Sequence, residues 1–359
     1  SYGDRNRQED KAEYFMTDIF DTLNAKGWEN SGKNREQYIP VTNFDPQTSN
    51  IVRVVINNVK AKGKEIKLPI IPGSELIPEF LSTNPNARVV SIEKSEFGEI
   101  YAKFNNNFSG DLAYWLIINE QANAPHPIRQ LSSKEIEKYT KIPFDIKLHP
   151  QVQEIIESTR DMSKFERARE IKARLGNTFI YDTSKETESA YKKSKNISET
   201  LLAGDQNIGP FMGDCDVHNT GAAYVLRMVG IPTVEAVGYI GMNGIATDAT
   251  RHGYLRSWFP EKGWVIFDST GVQVLQTSNL QAFSDLQMAN TPQALQKADV
   301  WYRQKYNANS ENGGIGWKAV GGSVALAALG GSGAFALYAA RKRREKSKSE
   351  GKGKSSSID

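Results

Sequence analysis

The chain has 359 residues, 39% hydrophobic and 24% charged, an ordinary globular composition with material for roughly two or three domains. Its net charge of +3 is unevenly placed: residues 341–359 hold eight Lys/Arg and three Asp/Glu, a net of +5, which leaves −2 on residues 1–340. The basic balance belongs to the tail, so no nucleic-acid face is expected on the body, and the single cysteine, Cys215, excludes an intramolecular disulfide framework.

Residues 1–47 read as a helical and polar N-terminal segment, with an amphipathic helix over 9–27 carrying Tyr14, Phe15, Ile19, Phe20 and Leu23 near helical spacing. Residues 48–122 differ. Short apolar runs such as Ile51–Val55, Val89–Ile92 and Leu112–Ile118 alternate with Gly, Asn and Pro clusters, which predicts a small β-sandwich-like domain. No catalytic constellation falls within it. Pro125 and Pro127 mark a linker, and residues 123–290 form the next domain.

That domain opens with helix signals. Ser132-x-x-Glu135 and Ser163-x-x-Glu166 are capping boxes, and Gly176 is the expected stop of the second helix. Thr178–Tyr181 reads as extended, and Ile197–Ala203 as a short helix ended by Gly204. A Gly-rich loop leads to Cys215. Residues 215–229 follow a helical pattern that Gly230 and Pro232 terminate. Val234–Ile240, Gly253–Phe259 and Trp264–Phe267 read as strands. Thr291-Pro292 starts a helix over 292–306, within a helix-and-linker segment, 291–318.

Ala319–Ala340 is 22 residues without a charge. As a helix it would be about 33 Å long, enough for a hydrocarbon core of about 30 Å. Trp317 and Tyr338 lie near its ends, and Arg341, Lys342, Arg343 and Arg344 follow at once. This predicts a transmembrane helix at 319–340 and a basic cytoplasmic tail at 341–359, with the body outside the cell membrane. Such a placement calls for an N-terminal export signal; no charged-then-apolar segment is visible after Ser1.

The chemistry concentrates around Cys215. A thiol nucleophile needs a base beside it and a group that orients the base. A helix N-terminus favours the thiolate, and its free N–H groups can bind an oxyanion. Four histidines are available: His126, His149, His218 and His252. His126 and His149 stand beside prolines as solvated loop residues. His218 shares the helix with Cys215 and reads as local packing or a secondary polar contact. His252 opens a strand and Asp268 ends the next one, so antiparallel pairing would set the carboxylate beside the imidazole. A zinc site built on Cys215, His218 and His252 lacks a second cysteine and a fourth ligand. No metal and no cofactor are expected.

Gly213-Asp214-Cys215-Asp216, Arg227–Pro232, Val237-Gly238-Tyr239, His252-Gly253-Tyr254, and Gly263-Trp264 with Phe267–Thr270 together resemble, in order, the transglutaminase-like superfamily core. The resemblance covers about residues 131–275. It implies an α+β, papain-like catalytic domain in which Cys215 is the nucleophile, His252 the base and acid, and Asp268 the orienter. It departs from the family pattern where Ala-Trp usually follows the histidine and a Glu lies in the strand; here Gly253-Tyr254 and Arg256 stand instead. Tyr181, Gln206 and Asn207 are candidates for the second oxyanion donor. Arg256 is expected at a solvated edge or cleft rim, and Trp264 in the core. The expectation is a membrane-anchored cysteine peptidase or acyltransferase acting on protein or peptide amides through a thioester. A non-catalytic surface module that binds a peptide or protein partner is the alternative.

Overall fold

The computed structural model describes residues 12–31, 34–39, 50–61, 63–82, 84–118, 129–204, 209–242, 245–247, 250–270 and 324–327. In chain order the strands of the first half are β1 (Ala12–Phe20), β2 (Thr22–Asn24), β3 (Gly27–Glu29), β4 (Arg35–Gln37), β5 (Asn50–Lys60), β6 (Glu65–Leu68), β7 (Glu75–Ser82), β8 (Val89–Ser95), β9 (Ile100–Phe104) and β10 (Ser109–Ile118). The second half begins with helices α1 (Ser133–Thr140), α2 (Pro150–Ser158) and α3 (Lys164–Thr178). The short strand β11 (Ile180–Tyr181) follows, then α4 (Lys185–Lys193), α5 (Ile197–Ala203), β12 (Met212–Gly213) and α6 (Cys215–Met228). Strands β13 (Thr233–Met242), β14 (Ile245–Thr247), β15 (Arg251–Phe259) and β16 (Gly263–Phe267) complete it, with β17 (Val324–Ala327) apart in sequence.

The β-rich region is as expected. Strands β5, β10 and β7 pair in one sheet and β4, β8, β9 and β6 in another. Val54, Leu112 and Tyr114 from the first share a core with Leu68, Ile92, Ala102 and Phe104 from the second. Burying both inner faces against each other is what gives a sandwich its stability.

The N-terminal segment is not as expected. Residues 12–20 form a strand, not a helix, and β1 runs antiparallel to β13 of the second half. A bulge between Met16 and Asp18 shifts the register, so Met16 and Ile19, three residues apart, pair with Gly238 and Ala236 and are both buried. The bulge imitates a helical period, while the aromatic and β-branched composition favours the strand. The two chains approach so closely that a Cβ on Gly238 would lie 1.8 Å from the Phe15 carbonyl oxygen.

The second half follows its capping signals. Ser132 and Glu135 form the reciprocal capping box of α1, and Ser163 caps α3. Gly176 does not stop α3, which continues to Thr178. A Cβ at Gly176 would stand 3.3 Å from the Ser269 carbonyl, so close packing accounts for this glycine. Gly204 and Gly230 do terminate their helices, with φ of 81° and 75°. Helix α6 packs on β13 and β15 through a second core that includes Ala222, Ala223, Leu226 and Leu255.

Four residues of the expected membrane span, Val324–Ala327, lie in a parallel strand between β14 and β5 rather than in a helix. There their backbone groups pair with two strand edges at once. The rest of 319–340, the 292–306 helix and the tail fall outside the described residues. Among the described residues no helix is long and apolar enough to cross a membrane.

Candidate active site

Cys215 is the first residue of α6. Asp214 caps the helix, its Oδ1 accepting the Val217 N–H at 3.1 Å. Gly213 precedes them because a Cβ there would meet Val217 Cγ1 at 2.7 Å. Opposite the helix start runs β15. The Asn219 side chain, one turn into α6, donates to the Gly253 carbonyl and ties the helix to that strand. The thiol is half-buried and its hydrogen bond goes to Asp216 Oδ1 at 3.7 Å.

His252 and Asp268 come together as anticipated. Strands β15 and β16 pair antiparallel, which brings Asp268, just past the end of β16, beside His252. His252 Nε2 and Asp268 Oδ2 are 2.7 Å apart, with both side chains almost wholly buried. Burial alone would raise the Asp268 carboxyl; the His252 imidazole, the Thr270 N–H and the Tyr14 hydroxyl outweigh it and hold the group below its ordinary value. Tyr14 donates to Asp268 Oδ2 at 2.8 Å. Helical spacing in the sequence hides this partner; the aromatic and β-branched stretch around Tyr14 is the signal that points to a strand. His252 Nδ1 has no hydrogen-bond partner among the described residues.

The thiol differs from expectation. Burial, with Asp216 and Asp214 beside it, pushes Cys215 well above its ordinary value, although the Gly253 backbone N–H opposes the shift. A helix N-terminus is therefore outweighed here by two carboxyls and loss of water. The acids respond in kind. Burial and the neighbouring Asp216 raise Asp214 to about 6. Asp216 is also raised, chiefly by the protein crowded round it, yet its side chain remains exposed to the cavity beside the site, and water there tempers the shift. Glu235 on β13 is buried and pushed well above the carboxylate range, first by burial and then by Asp216 and Asp214.

The remaining residues sort clearly. His218 is fully buried and stacks on Phe179 at 4.5 Å between ring centroids; burial lowers it to about 4, so it is a neutral packing residue. Cys215, His218 and His252 do not come together as a metal-ligand group. His149 is not a solvated loop residue: its Nδ1 caps α2 and its ring meets Phe211 edge-on. Tyr181 pairs alongside Gly213 through β11 and β12, and the charges of Cys215 and Asp214 add to burial in raising its hydroxyl. Gln206, Asn207 and His126 lie outside the described residues. Arg256 is not at a rim. It is 7% exposed and donates to the Phe97 carbonyl at 3.1 Å, with burial lowering its guanidinium. The β-rich region thus closes over it, and a carbonyl rather than a carboxylate satisfies one of its donors. Trp264 packs partly buried between Phe97 and Tyr139.

Residues 151–269 match the family model of the transglutaminase-like superfamily. Over 287 residues the chain is 26% identical to the uncharacterized protein YebA of Bacillus subtilis strain 168; the match covers 72% of this chain and 37% of YebA's length. Two crystal structures of the periplasmic domain of TgpA from Pseudomonas aeruginosa, the second bound to ethylmercury, superpose with TM-scores of 0.47 and 0.45 at 14% and 13% identity. They cover 74% and 72% of this chain and 86% and 84% of their own.

Proposed function

We propose that the transglutaminase-like domain at residues 151–269 is a thiol acyl-transfer enzyme acting on protein or peptide amides, with Cys215 as nucleophile, His252 as base and acid, and Asp268 as orienter. The observation that carries this reading is the buried His252–Asp268 pair at 2.7 Å, which occupies one imidazole nitrogen and leaves Nδ1 unpartnered. Asp268 fixes the tautomer with the proton on Nε2, so Nδ1 is the basic nitrogen. Gly253, the next residue, offers its N–H to the sulfur, which keeps the thiol and the imidazole strand in one neighbourhood.

The resting thiol is protonated, because two acids and burial oppose its ionisation. Attack therefore needs His252 to accept the thiol proton as the carbon–sulfur bond forms. The carbonyl oxygen takes the negative charge, stabilised by the free N–H at the start of α6. Imidazolium then returns the proton to the leaving amine, and a thioester remains on Cys215. Water or a second amine resolves it, His252 again removing the attacking proton. Incubating the chain with glutamine-containing peptides, with and without an amine acceptor, tests the reading. Ammonia release or amide exchange that disappears in Cys215→Ala supports it; equal turnover in that variant sinks it.

We further infer that the domain is displayed outside a membrane, anchored through residues 319–340 with the basic tail inside. The uncharged run and its six flanking basic residues, Arg341 to Arg344, Lys346 and Lys348, support this. A membrane helix and strand β17 are mutually exclusive states of Val324–Ala327. Protease treatment of intact cells distinguishes the placements: digestion of the body with a protected tail fits anchoring, and a wholly protected body contradicts it.

A further inference from the structure

A cavity of about 570 Å³ opens between the start of α6, β13, β1 and α4; Asp214 and Asp216, on either side of Cys215 in the sequence, line it, and Cys215 itself does not. Three acids line its inner wall: Asp214, Asp216 and Glu235. Two of its other charged residues are already engaged. Lys192 pairs with Glu188 one turn away on α4, and Lys26 donates to the Ser194 carbonyl. Asp182, at the far side, accepts from Ser184 and Thr187. Outside the lining, Arg251 on β15 is the cation whose charge acts on Asp216.

Glu235 stands out within this wall. It is 4% exposed and lines the cavity, and its Oε1 has no hydrogen-bond partner among the described residues. A buried carboxyl without a partner costs free energy, so its retention calls for a partner that arrives from outside. Gly253 adds a second, steric observation. A Cβ at this position would stand 2.5 Å from Asp216 Oδ1 and 3.2 Å from Glu235 Oε1. The two carboxyl oxygens lie where a larger residue would place its Cβ.

We propose that this cavity is a substrate subsite for an organic cation, a primary ammonium or guanidinium group held by Glu235, Asp216 and Asp214. The inference rests on Cys215 being the reacting group. The described His, Cys, Asp and Glu side chains do not converge as a metal-ligand set, and the cavity has room for a side chain rather than a bare ion. An ammonium held between carboxylates keeps its proton and cannot attack a thioester. The bound cation is therefore a recognition handle on the substrate, distinct from any attacking amine.

Because Cys215 is the only cysteine, thiol-directed reagents read this site alone. Methanethiosulfonates bearing an aminoethyl, ethyl or sulfonatoethyl group are compared in the full chain, each rate divided by that for a free small thiol. The aminoethyl reagent should then lead the ethyl reagent by about tenfold, a difference of about 1.4 kcal/mol, and the sulfonate should trail. Glu235→Gln should remove most of that lead. Independently of any variant, n-butylammonium should protect the wild-type thiol from the ethyl reagent saturably, while n-butanol does not. Equal normalised rates, a lead that survives Glu235→Gln in a chain with native circular dichroism, or no protection by n-butylammonium would each overturn the subsite. The ethyl reagent also reads the underlying chemistry. If His252→Ala leaves its rate unchanged, the proposed base is wrong, whatever the cation preference.

Discussion

The two sides of the candidate site hold buried carboxyls of equal exposure and opposite circumstance. Asp268 and Glu235 are each 4% exposed. Asp268 receives His252, Tyr14 and Thr270, and stays ionised below the ordinary carboxylate value. The Oε1 of Glu235 has no hydrogen-bond partner among the described residues, and burial drives the carboxyl the other way. Burial alone therefore does not decide a group's charge state; the donors within reach do. The satisfied side orients a base. The unsatisfied side presents an unpartnered carboxyl oxygen to the cavity.

The comparison breaks most severely at Asp268. Asp268→Asn keeps the shape but removes the charge that fixes the His252 tautomer. Amide turnover should fall by roughly 10⁴-fold, measured as kcat with peptide substrates, while Cys215 remains open to alkylation. A loss below tenfold would show that His252 does not depend on this carboxylate.

A smaller effect sharpens the same side. Tyr14→Phe deletes one donor to Asp268, at a cost of about 0.5–1.5 kcal/mol. Losing that donor raises the Asp268 pKa, so the acid limb of the pH–rate profile should move to higher pH. A residue that serves only to seat β1 against β13 would lower activity without displacing that limb. The pH profile therefore separates positioning from mere structure.

On the other side the expected change is a gain. Glu235 has a folded-state pKa above its ordinary value, so the stability it allows is complete below that value and declines as pH rises toward the raised pKa. Glu235→Gln removes the penalty. It should raise the melting temperature by a few degrees, on the order of 1–3 kcal/mol, with a gap over wild type that widens from acid to alkaline pH. A constant gap, or a lower melting temperature throughout, would show that Glu235 has a native partner.

Much of this site could be read from residues alone. Cys215 after a glycine, His252 opening a strand and Asp268 closing the next are local patterns, and antiparallel pairing joins the last two without long-range information. The capping serines worked for the same reason. What escaped was carried by distance in sequence or by a broken period. Tyr14 reaches Asp268 across 254 residues, from a strand whose bulge imitated a helix. Arg256 looked like a rim residue because its cover, Phe97, comes from the β-rich region. The raised thiol depends on Asp214 and Asp216, visible in the sequence, but the sign of the outcome depended on how much water the fold excludes.

The central claim is that Cys215 is acylated with His252 as its base. The most direct measurement is the pre-steady-state burst with a p-nitrophenyl ester, followed by intact-mass and peptide mapping of the chain. The account predicts one stoichiometric acyl group on Cys215, absent in Cys215→Ala and formed at least about 10²-fold more slowly in His252→Ala. A burst of undiminished rate in His252→Ala, or an acyl group mapped to any other residue, would contradict it.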